Sequence, residues 1–343
     1  MICSCSLASE WKASFDPGAD SLLGIAGAVT LVDGNSAVCL AGPFEDPIVI
    51  LLDEEGRTLW STAILEKGGN SRSFESGGFL VPLDDGFAVA LHSEPRATGI
   101  DTDVAVARID MEGDTVWTFV LGLDDSDNWI CTGLTACSDG GFLLTGCPGT
   151  MLPGGYVLKL GSSGDLQWMT PAGSIEGFVL SAAELPDGGF LALTDPCYGH
   201  FALLPLSPEG TLGEPVEIDA GGEPFGIRPV DDSVWILLRP EGNSVTSILY
   251  AEGHGVQDSM TAVLPEGHEV RCADMAPEGM VTAGTLDGTA FTCLHGADGT
   301  LLAEKVLDME GSPSGLSVSA DRVLVHSREN ELVCSMILSE FPN

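Results

Sequence analysis

The stretch Val157–Trp168, "VLKLGSSGDLQW", decides the fold. An apolar run ends at a Gly/Ser turn, and a tryptophan follows four residues after the second glycine. Nearly the same pattern occurs at 50–60, "ILLDEEGRTLW", and at 107–117, "ARIDMEGDTVW". Glycine suits a tight hairpin because it accepts positive φ, and tryptophan supplies a large apolar surface that fills a gap against a neighbouring sheet. The pattern predicts structural roles for Gly56, Gly113 and Gly164, and for Trp60, Trp117 and Trp168.

A second turn signal recurs along the chain. It consists of an acidic residue, usually with glycine, directly before a strand-like apolar run such as "FAVAL" or "FLLTG". Successive turns lie 43 to 54 residues apart, at Asp33, Asp85, Asp139, Asp187, Asp232, Glu278 and Asp321. A period of this length with four short strands in each unit is typical of a β-propeller, because one small sheet buries its faces only against its neighbours.

The predicted fold is therefore an all-β, seven-bladed propeller of four-stranded antiparallel blades, forming one domain over residues 9–343. The last unit is one strand short. Trp11, in "SEWKASF", lies before the first complete unit and matches the repeating tryptophans. We expect the N-terminal strand to complete the last blade, because pairing the two ends removes an open sheet edge.

Composition agrees with a chain of many short strands. The 343 residues include 44 Gly and 20 Pro, which are spread along the whole length. The longest apolar runs, such as "IVILL" at 48–52, are strand-sized, and none approaches the roughly 18 residues that a membrane span needs. A transmembrane segment is not expected.

The charge balance is strongly acidic. The chain has 51 Asp and Glu against 13 Lys and Arg, which gives a net charge of −38. Such a surface repels phosphate backbones, so nucleic-acid and anionic-membrane partners are disfavoured. Cationic or divalent partners remain open, and the simpler interpretation is a feature that maintains solubility.

The ten cysteines show no C-x-x-C pair and no matching histidine spacing, so a structural zinc site is not expected. Most lie in apolar strand contexts, which favours buried free thiols. One or two disulfides, for example between Cys131 and Cys137, are the alternative.

Residues 1–8, "MICSCSLA", are apolar and rich in small residues. They resemble the end of an export signal, and "ICSC" resembles a lipobox in which Cys5 would be lipidated. The positive and hydrophobic regions of a signal are absent from the sequence as it stands. We interpret the segment as the tail of a longer signal, which predicts a secreted, periplasmic or cell-surface location. A plain cytosolic terminus is the alternative.

"YVLKLGSSGDLQWMTPAG" and "ILLDEEGRTLWSTAIL" resemble the PQQ-like repeat of quinoprotein-type propellers. "SDGGFLLTG", joined to that block, is similar to the tandem-repeat propellers of secreted and cell-surface bacterial proteins. The resemblance is clearest over residues 25–195 and implies a fold more than a function. Quinone-binding members carry two adjacent cysteines, which this chain lacks, so no cofactor is predicted. Lipoprotein propellers that scaffold assembly machinery share the repeat without catalysis.

Motifs for catalysis are not found. The string nearest to G-x-S-x-G is "GSPSG" at 311–315, which has proline at the nucleophile position. The six histidines are dispersed, although different blades could bring them to the axis. The best candidate for a metal site is an acidic loop with the oxygen ligands that calcium prefers, at Asp124, Asp125, Asp127 and Asn128. A solvated acidic loop is the simpler interpretation.

Two functional hypotheses follow. The first is a non-catalytic, extracytoplasmic propeller that acts as an interaction scaffold or ligand-binding module, with a protein or glycan partner on one face. The second is an enzyme, a hydrolase, lyase or oxidoreductase, with its active site at the axial channel. Convergence of three or more ionisable side chains in one axial pocket would favour the second hypothesis.

Overall fold

The structure, a computed structural model, describes most of the chain. The described residues are 9–15, 24–31, 33–41, 47–64, 74–93, 103–122, 129–148, 154–172, 178–195, 201–219, 221–277, 279–319, 322–327 and 331–336. Within these ranges, 28 strands form seven four-stranded antiparallel sheets. The described residues include no helix long and apolar enough to cross a bilayer.

The first three blades are each built from four consecutive strands that follow one another outward from the axis. Blade 1 consists of β2 (Gly24–Thr30), β3 (Ser36–Ala41), β4 (Ile48–Leu52) and β5 (Thr58–Ala63). Blade 2 consists of β6 (Phe74–Leu83), β7 (Gly86–Ser93), β8 (Val104–Asp110) and β9 (Thr115–Leu121). Blade 3 consists of β10 (Trp129–Ala136), β11 (Phe142–Pro148), β12 (Tyr156–Leu160) and β13 (Leu166–Pro171).

The next three blades repeat the same order. Blade 4 consists of β14 (Phe178–Glu184), β15 (Phe190–Asp195), β16 (Phe201–Leu206) and β17 (Val216–Ile218). Blade 5 consists of β18 (Pro224–Val230), β19 (Ser233–Leu238), β20 (Ser244–Ala251) and β21 (Gly255–Val263). Blade 6 consists of β22 (His268–Ala276), β23 (Gly279–Leu286), β24 (Thr289–Gly296) and β25 (Leu301–Val306).

The remaining sheet, called here the closing sheet, is composite. It joins β1 (Ser9–Ser14) to the last three strands, in the order β1-β28-β27-β26, with β26 at Pro313–Val318, β27 at Arg322–Ser327 and β28 at Glu331–Met336. The prediction of seven repeat units therefore needs a correction: six blades, not seven, are continuous stretches of the chain. The physical reason is ring closure, since β1 pairs antiparallel with β28, Trp11 opposite Cys334, and covers an edge that the last three strands leave open.

The hydrophobic cores lie between blades. One cluster joins residues of blades 1 and 2, including Val49 and Phe87, and another joins Trp11 and Leu332 of the closing sheet to blade 1. A further cluster joins the closing sheet to blade 6 through Val323 and Val281. Each sheet thus buries its faces against its neighbours, which is why the ring is needed for a stable core.

The D-x-x-G turns have the hydrogen bonds of a tight hairpin. In the turn at 53–57, the Gly56 N–H donates to the Asp53 carbonyl at 2.9 Å, and Gly56 has φ +78°. Asp53 Oδ1 accepts from the N–H groups of Glu55 (3.0 Å) and Arg57 (2.8 Å). The aspartate therefore holds the turn with its side chain, and the glycine supplies the left-handed residue.

The repeating tryptophans join neighbouring sheets. Each lies on the turn glycine of the following blade, in the pairs Trp11–Gly56, Trp60–Gly113, Trp117–Gly164 and Trp168–Gly210. Three of the indoles also donate from Nε1 to a carbonyl of that turn, namely those of Met111 (2.8 Å), Ser162 (3.0 Å) and Pro208 (3.1 Å). Trp11 is buried, and its Nε1 has no partner in the described part of the chain. In the structure these tryptophans therefore pack between neighbouring sheets.

Candidate binding surfaces: the axial channel and the turn face

A cavity of about 370 Å³ follows the axis of the ring. The first strand of every sheet contributes to its wall, and much of the wall consists of small residues such as Ala26, Gly27, Gly78, Gly133, Gly226 and Gly315. At Gly27, a Cβ atom would collide with the carbonyl oxygen of Gly78 in the next blade. The innermost strands approach each other too closely for a side chain there, so glycine is required.

Each innermost strand also carries a β-bulge. In six sheets the register between the first and second strands shifts once, for example between Cys131 and Gly133 and between Pro313 and Gly315. In blade 2 it shifts twice. A bulge bends the strand and changes which residues face each side. The bulges therefore determine which side chains reach the channel.

An ion pair between two blades lies on the channel wall. Arg228 of β18 donates from Nε to Asp274 Oδ1 of β22 at 2.6 Å, and from Nη1 to the Ile227 carbonyl at 3.0 Å. Asp274 Oδ1 also accepts from the Met275 N–H at 2.9 Å. The arginine side chain is 44% exposed and that of the aspartate 9% exposed. Arg228 lies near the turn at 231–232, so the pair is close to one end of the channel.

A histidine reaches the channel from a second strand. His326 of β27 fills the space that a side chain on Gly315 would occupy. Its Nδ1 lies 3.2 Å from Ser314 Oγ, and the serine hydroxyl also donates to the His326 carbonyl at 3.2 Å. Burial lowers the pKa of His326 to about 4, so the ring is neutral at pH 7.

Three ionisable side chains thus line the channel, but they form two local contacts. Arg228 and Asp274 neutralise each other, and His326 bonds to Ser314 within its own sheet. Neither Arg228, Asp274 nor His326 was singled out as a site residue from sequence. A weak signal existed, because Arg228 is one of only 13 basic residues and lies inside a strand otherwise free of charge, "PFGIRPV".

The other described histidines lie away from the channel. His268 is buried, with Nε2 3.1 Å from Glu304 Oε1, and His295 is fully buried beside Thr282. His92 Nδ1 lies 3.4 Å from Cys131 Sγ, and His254 is exposed. Among the described residues, the histidines do not converge at the axis.

The predicted calcium loop, Asp124, Asp125, Asp127 and Asn128, lies outside the described residues, as does Cys5. Across the ranges that the structure describes, no group of three or more His, Cys, Asp or Glu side chains is arranged to hold a metal ion. Calcium binding by the acidic loop and lipidation of Cys5 stay predictions.

The described cysteines are free thiols. Five are buried and Cys272 is partly buried. The alternative of a Cys131–Cys137 disulfide is wrong. Cys131 lies in β10 and Cys137 directly follows that strand, so six residues of extended chain, about 20 Å at 3.3 Å per residue, separate them, whereas a disulfide needs Cα atoms within about 7 Å. Burial raises the pKa of the Cys137 thiol to about 12, which keeps it protonated.

One face of the ring carries the turns between first and second strands and between third and fourth strands. We call it the turn face. Its exposed acidic residues include Asp33, Glu54, Glu55, Asp84, Asp85, Glu112, Asp114, Asp165, Asp187, Glu209, Asp231, Asp232, Glu252 and Asp298. The described bases of these turns pair with acids of the same face, in Arg57–Asp53, Arg108–Asp85, Lys159–Asp139 and Arg322–Glu54. The turn face is therefore strongly negative.

No protein-family model and no curated protein matches the sequence. Solved structures match the fold. Virginiamycin B lyase from Staphylococcus aureus has a TM-score of 0.62 at 12% identity, over 95% of this chain and 98% of that one. YCF48 bound to a D1 peptide has a TM-score of 0.56 at 11% identity, over 95% and 94%.

A third match, Raptor from Chaetomium thermophilum, has a TM-score of 0.62 at 13% identity over 97% of this chain, which spans only 29% of the length of Raptor. Identities this low establish a common fold and nothing finer. The chain is an all-β propeller of four-stranded antiparallel blades, and its structural neighbours, which include virginiamycin B lyase and YCF48, are β-propeller proteins of differing function.

Proposed function

We propose that this protein is a non-catalytic binding propeller that docks a basic segment of a protein partner on its turn face. The observation that carries the proposal is the excess of exposed carboxylates on this face. The described basic residues of the same turns already form ion pairs with neighbouring acids, so they do not offset this excess. Complementary charge favours encounter with a cationic partner and disfavours nucleic acid.

Two further points support a binding role. The hairpins of the turn face are closed by backbone hydrogen bonds and by aspartate side chains. A surface held in this way loses little conformational freedom when a partner binds. Propellers of similar fold hold partners in their own structures, namely YCF48 with a D1 peptide and BBS1N with ARL6DN. We extend the proposal to an extracytoplasmic location, which rests on residues 1–8, and glycan binding is the competing partner class.

The test uses a fluorescein-labelled peptide of alternating lysine and glycine, with a glutamate–glycine peptide as the opposite-charge control. The variant is Asp231→Asn with Asp232→Asn, chosen because asparagine tolerates the positive φ (+49°) of Asp231. The matched control removes two carboxylates from the end of blade 4 that lies away from the turn face, with Glu217→Gln and Asp219→Asn, which are also exposed.

We expect the turn-face variant to bind the basic peptide about threefold to fivefold more weakly at 0.1 M salt, since each exposed charge contributes a few tenths of a kcal/mol. The control variant should bind it as the unaltered protein does. Equal losses in both variants would mean diffuse attraction to the whole protein and would overturn the proposal. Binding of the acidic peptide with similar affinity would overturn it as well.

A further inference from the structure

The Arg228–Asp274 pair leaves unused hydrogen-bonding groups at the channel wall. A guanidinium has five N–H groups. Arg228 uses one at Nε on Asp274 and one at Nη1 on the Ile227 carbonyl. The other three have no partner in the described part of the chain. Since the side chain is 44% exposed and lines the cavity, these donors are accessible to a ligand there.

Asp274 has a matching unused acceptor. Both of its hydrogen bonds reach Oδ1, from Arg228 and from the Met275 N–H. Within the described ranges Oδ2 has no partner, although the carboxylate side chain is only 9% exposed and lines the same cavity. The Asp274 side chain is largely buried, and a donor supplied by a ligand would add a charge-assisted hydrogen bond to this unused acceptor.

The surroundings restrict the class of ligand. A cavity of about 370 Å³ lies at the small end of ligand-binding pockets. The pair has no net charge of its own, and the protein carries −38, so a free anion meets long-range repulsion. A ligand that brings a cation together with its anion avoids that repulsion and satisfies both unused groups.

We propose that the axial channel binds a small zwitterion of the α-amino acid class. The ligand carboxylate accepts from the free N–H groups of Arg228, and the ligand ammonium donates to Asp274 Oδ2. Because the arginine and aspartate are in direct contact, the two ligand groups must lie close together, as they do on a single α-carbon. The small-residue wall leaves room for a side chain along the axis. This inference is independent of the turn-face proposal.

The experiment measures thermal shifts and calorimetric heats with free glycine, L-alanine, L-leucine and L-phenylalanine. Each is compared with the amine that lacks its carboxylate and the acid that lacks its ammonium. We expect at least one amino acid to raise the melting temperature and give saturable heats, while both of its analogues do neither. These comparisons use the unaltered protein, so they decide the matter even if a variant fails to fold.

Variants then locate the site. Arg228→Lys keeps the charge but loses the planar donor fork, and Asp274→Asn keeps the shape but loses the charge. Each should weaken amino-acid binding at least tenfold. Arg239→Lys and Glu223→Gln are the matched controls, because Arg239 Nε lies 3.3 Å from Glu223 Oε2 in an exposed pair outside the channel. They should leave binding unchanged.

Three results would overturn the inference. The first is that none of the four amino acids binds. The second is that the acid analogue binds as tightly as the amino acid, which would indicate a simple anion site. The third is unchanged affinity in Arg228→Lys or Asp274→Asn, which would leave the pair as a structural contact between blades. The turn-face assay uses other probes and variants, so the two proposals fail separately.

Discussion

The contact between Trp117 of blade 2 and Gly164 of blade 3 helps to hold these two blades together. Adding a single methyl group at Gly164 tests how much the contact contributes to stability. Gly164 has φ +82°, and a Cβ atom there would lie 2.6 Å from Trp117 Cδ2. Gly164→Ala therefore imposes two costs, a left-handed alanine and an overlap with the indole. Gly288→Ala isolates the first cost, because Gly288 has φ +83° and a Cβ atom there would meet nothing within 4 Å.

The two costs have different sizes. A left-handed alanine costs about 1–2 kcal/mol, which is the whole effect expected for Gly288→Ala. In Gly164→Ala, the indole must also retreat by several tenths of an ångström, which strains packing by about 1–3 kcal/mol. The retreat lengthens the 3.0 Å bond from Trp117 Nε1 to the Ser162 carbonyl. We therefore expect Gly164→Ala to lose about 2–4 kcal/mol of unfolding free energy.

Equilibrium urea unfolding followed by circular dichroism measures both variants, with calorimetry as the second probe. In a Trp117→Ala background the overlap is absent, so Gly164→Ala should then cost only as much as Gly288→Ala. Equal losses for the two single variants, or an undiminished loss in the Trp117→Ala background, would refute the idea that the indole packed on the turn glycine holds adjacent blades together.

Three further predictions concern the ring, a buried ion pair and a buried histidine. Deletion of residues 1–16 removes β1 and exposes the edge of β28, so light scattering should show aggregates or unfolded chain; a stable monomer would contradict the closure. Asp139→Asn leaves Lys159, whose side chain is 3% exposed, without its carboxylate partner. It should lower the free energy of unfolding in urea by about 2–3 kcal/mol, which is less than for a fully buried ion pair because the aspartate is half exposed. Adding Lys159→Met should recover most of the loss. Burial lowers the pKa of His295 from 6.5 to about 4, so its contribution, about 3 kcal/mol, is present above pH 6.5 and is lost as pH falls towards 4. His295→Gln should reduce the dependence of the urea midpoint on pH in that window, where His326 also contributes, and an unchanged slope would contradict the assignment.

Much of the fold could be predicted from the sequence because its signals are local. Gly56 and Asp53 set their turn with bonds that span four residues. Trp11 could be matched to Trp60 by position in the repeat, and β1 does pair with β28. The number of continuous blades was harder to predict, because the strands of the closing sheet come from both ends of the sequence. The Cys131–Cys137 alternative failed because the strand that separates them is extended.

The sequence by itself determined the turns, the strands and the joining of the two ends, since each depends on residues close together or on a repeating pattern. Only the tertiary structure decided what reaches the axis. Arg228 and Asp274 lie 46 residues apart and meet because successive blades stand side by side. Each innermost strand has at least one bulge that breaks the alternation of side chains, so counting along the strand does not tell which residue faces the channel.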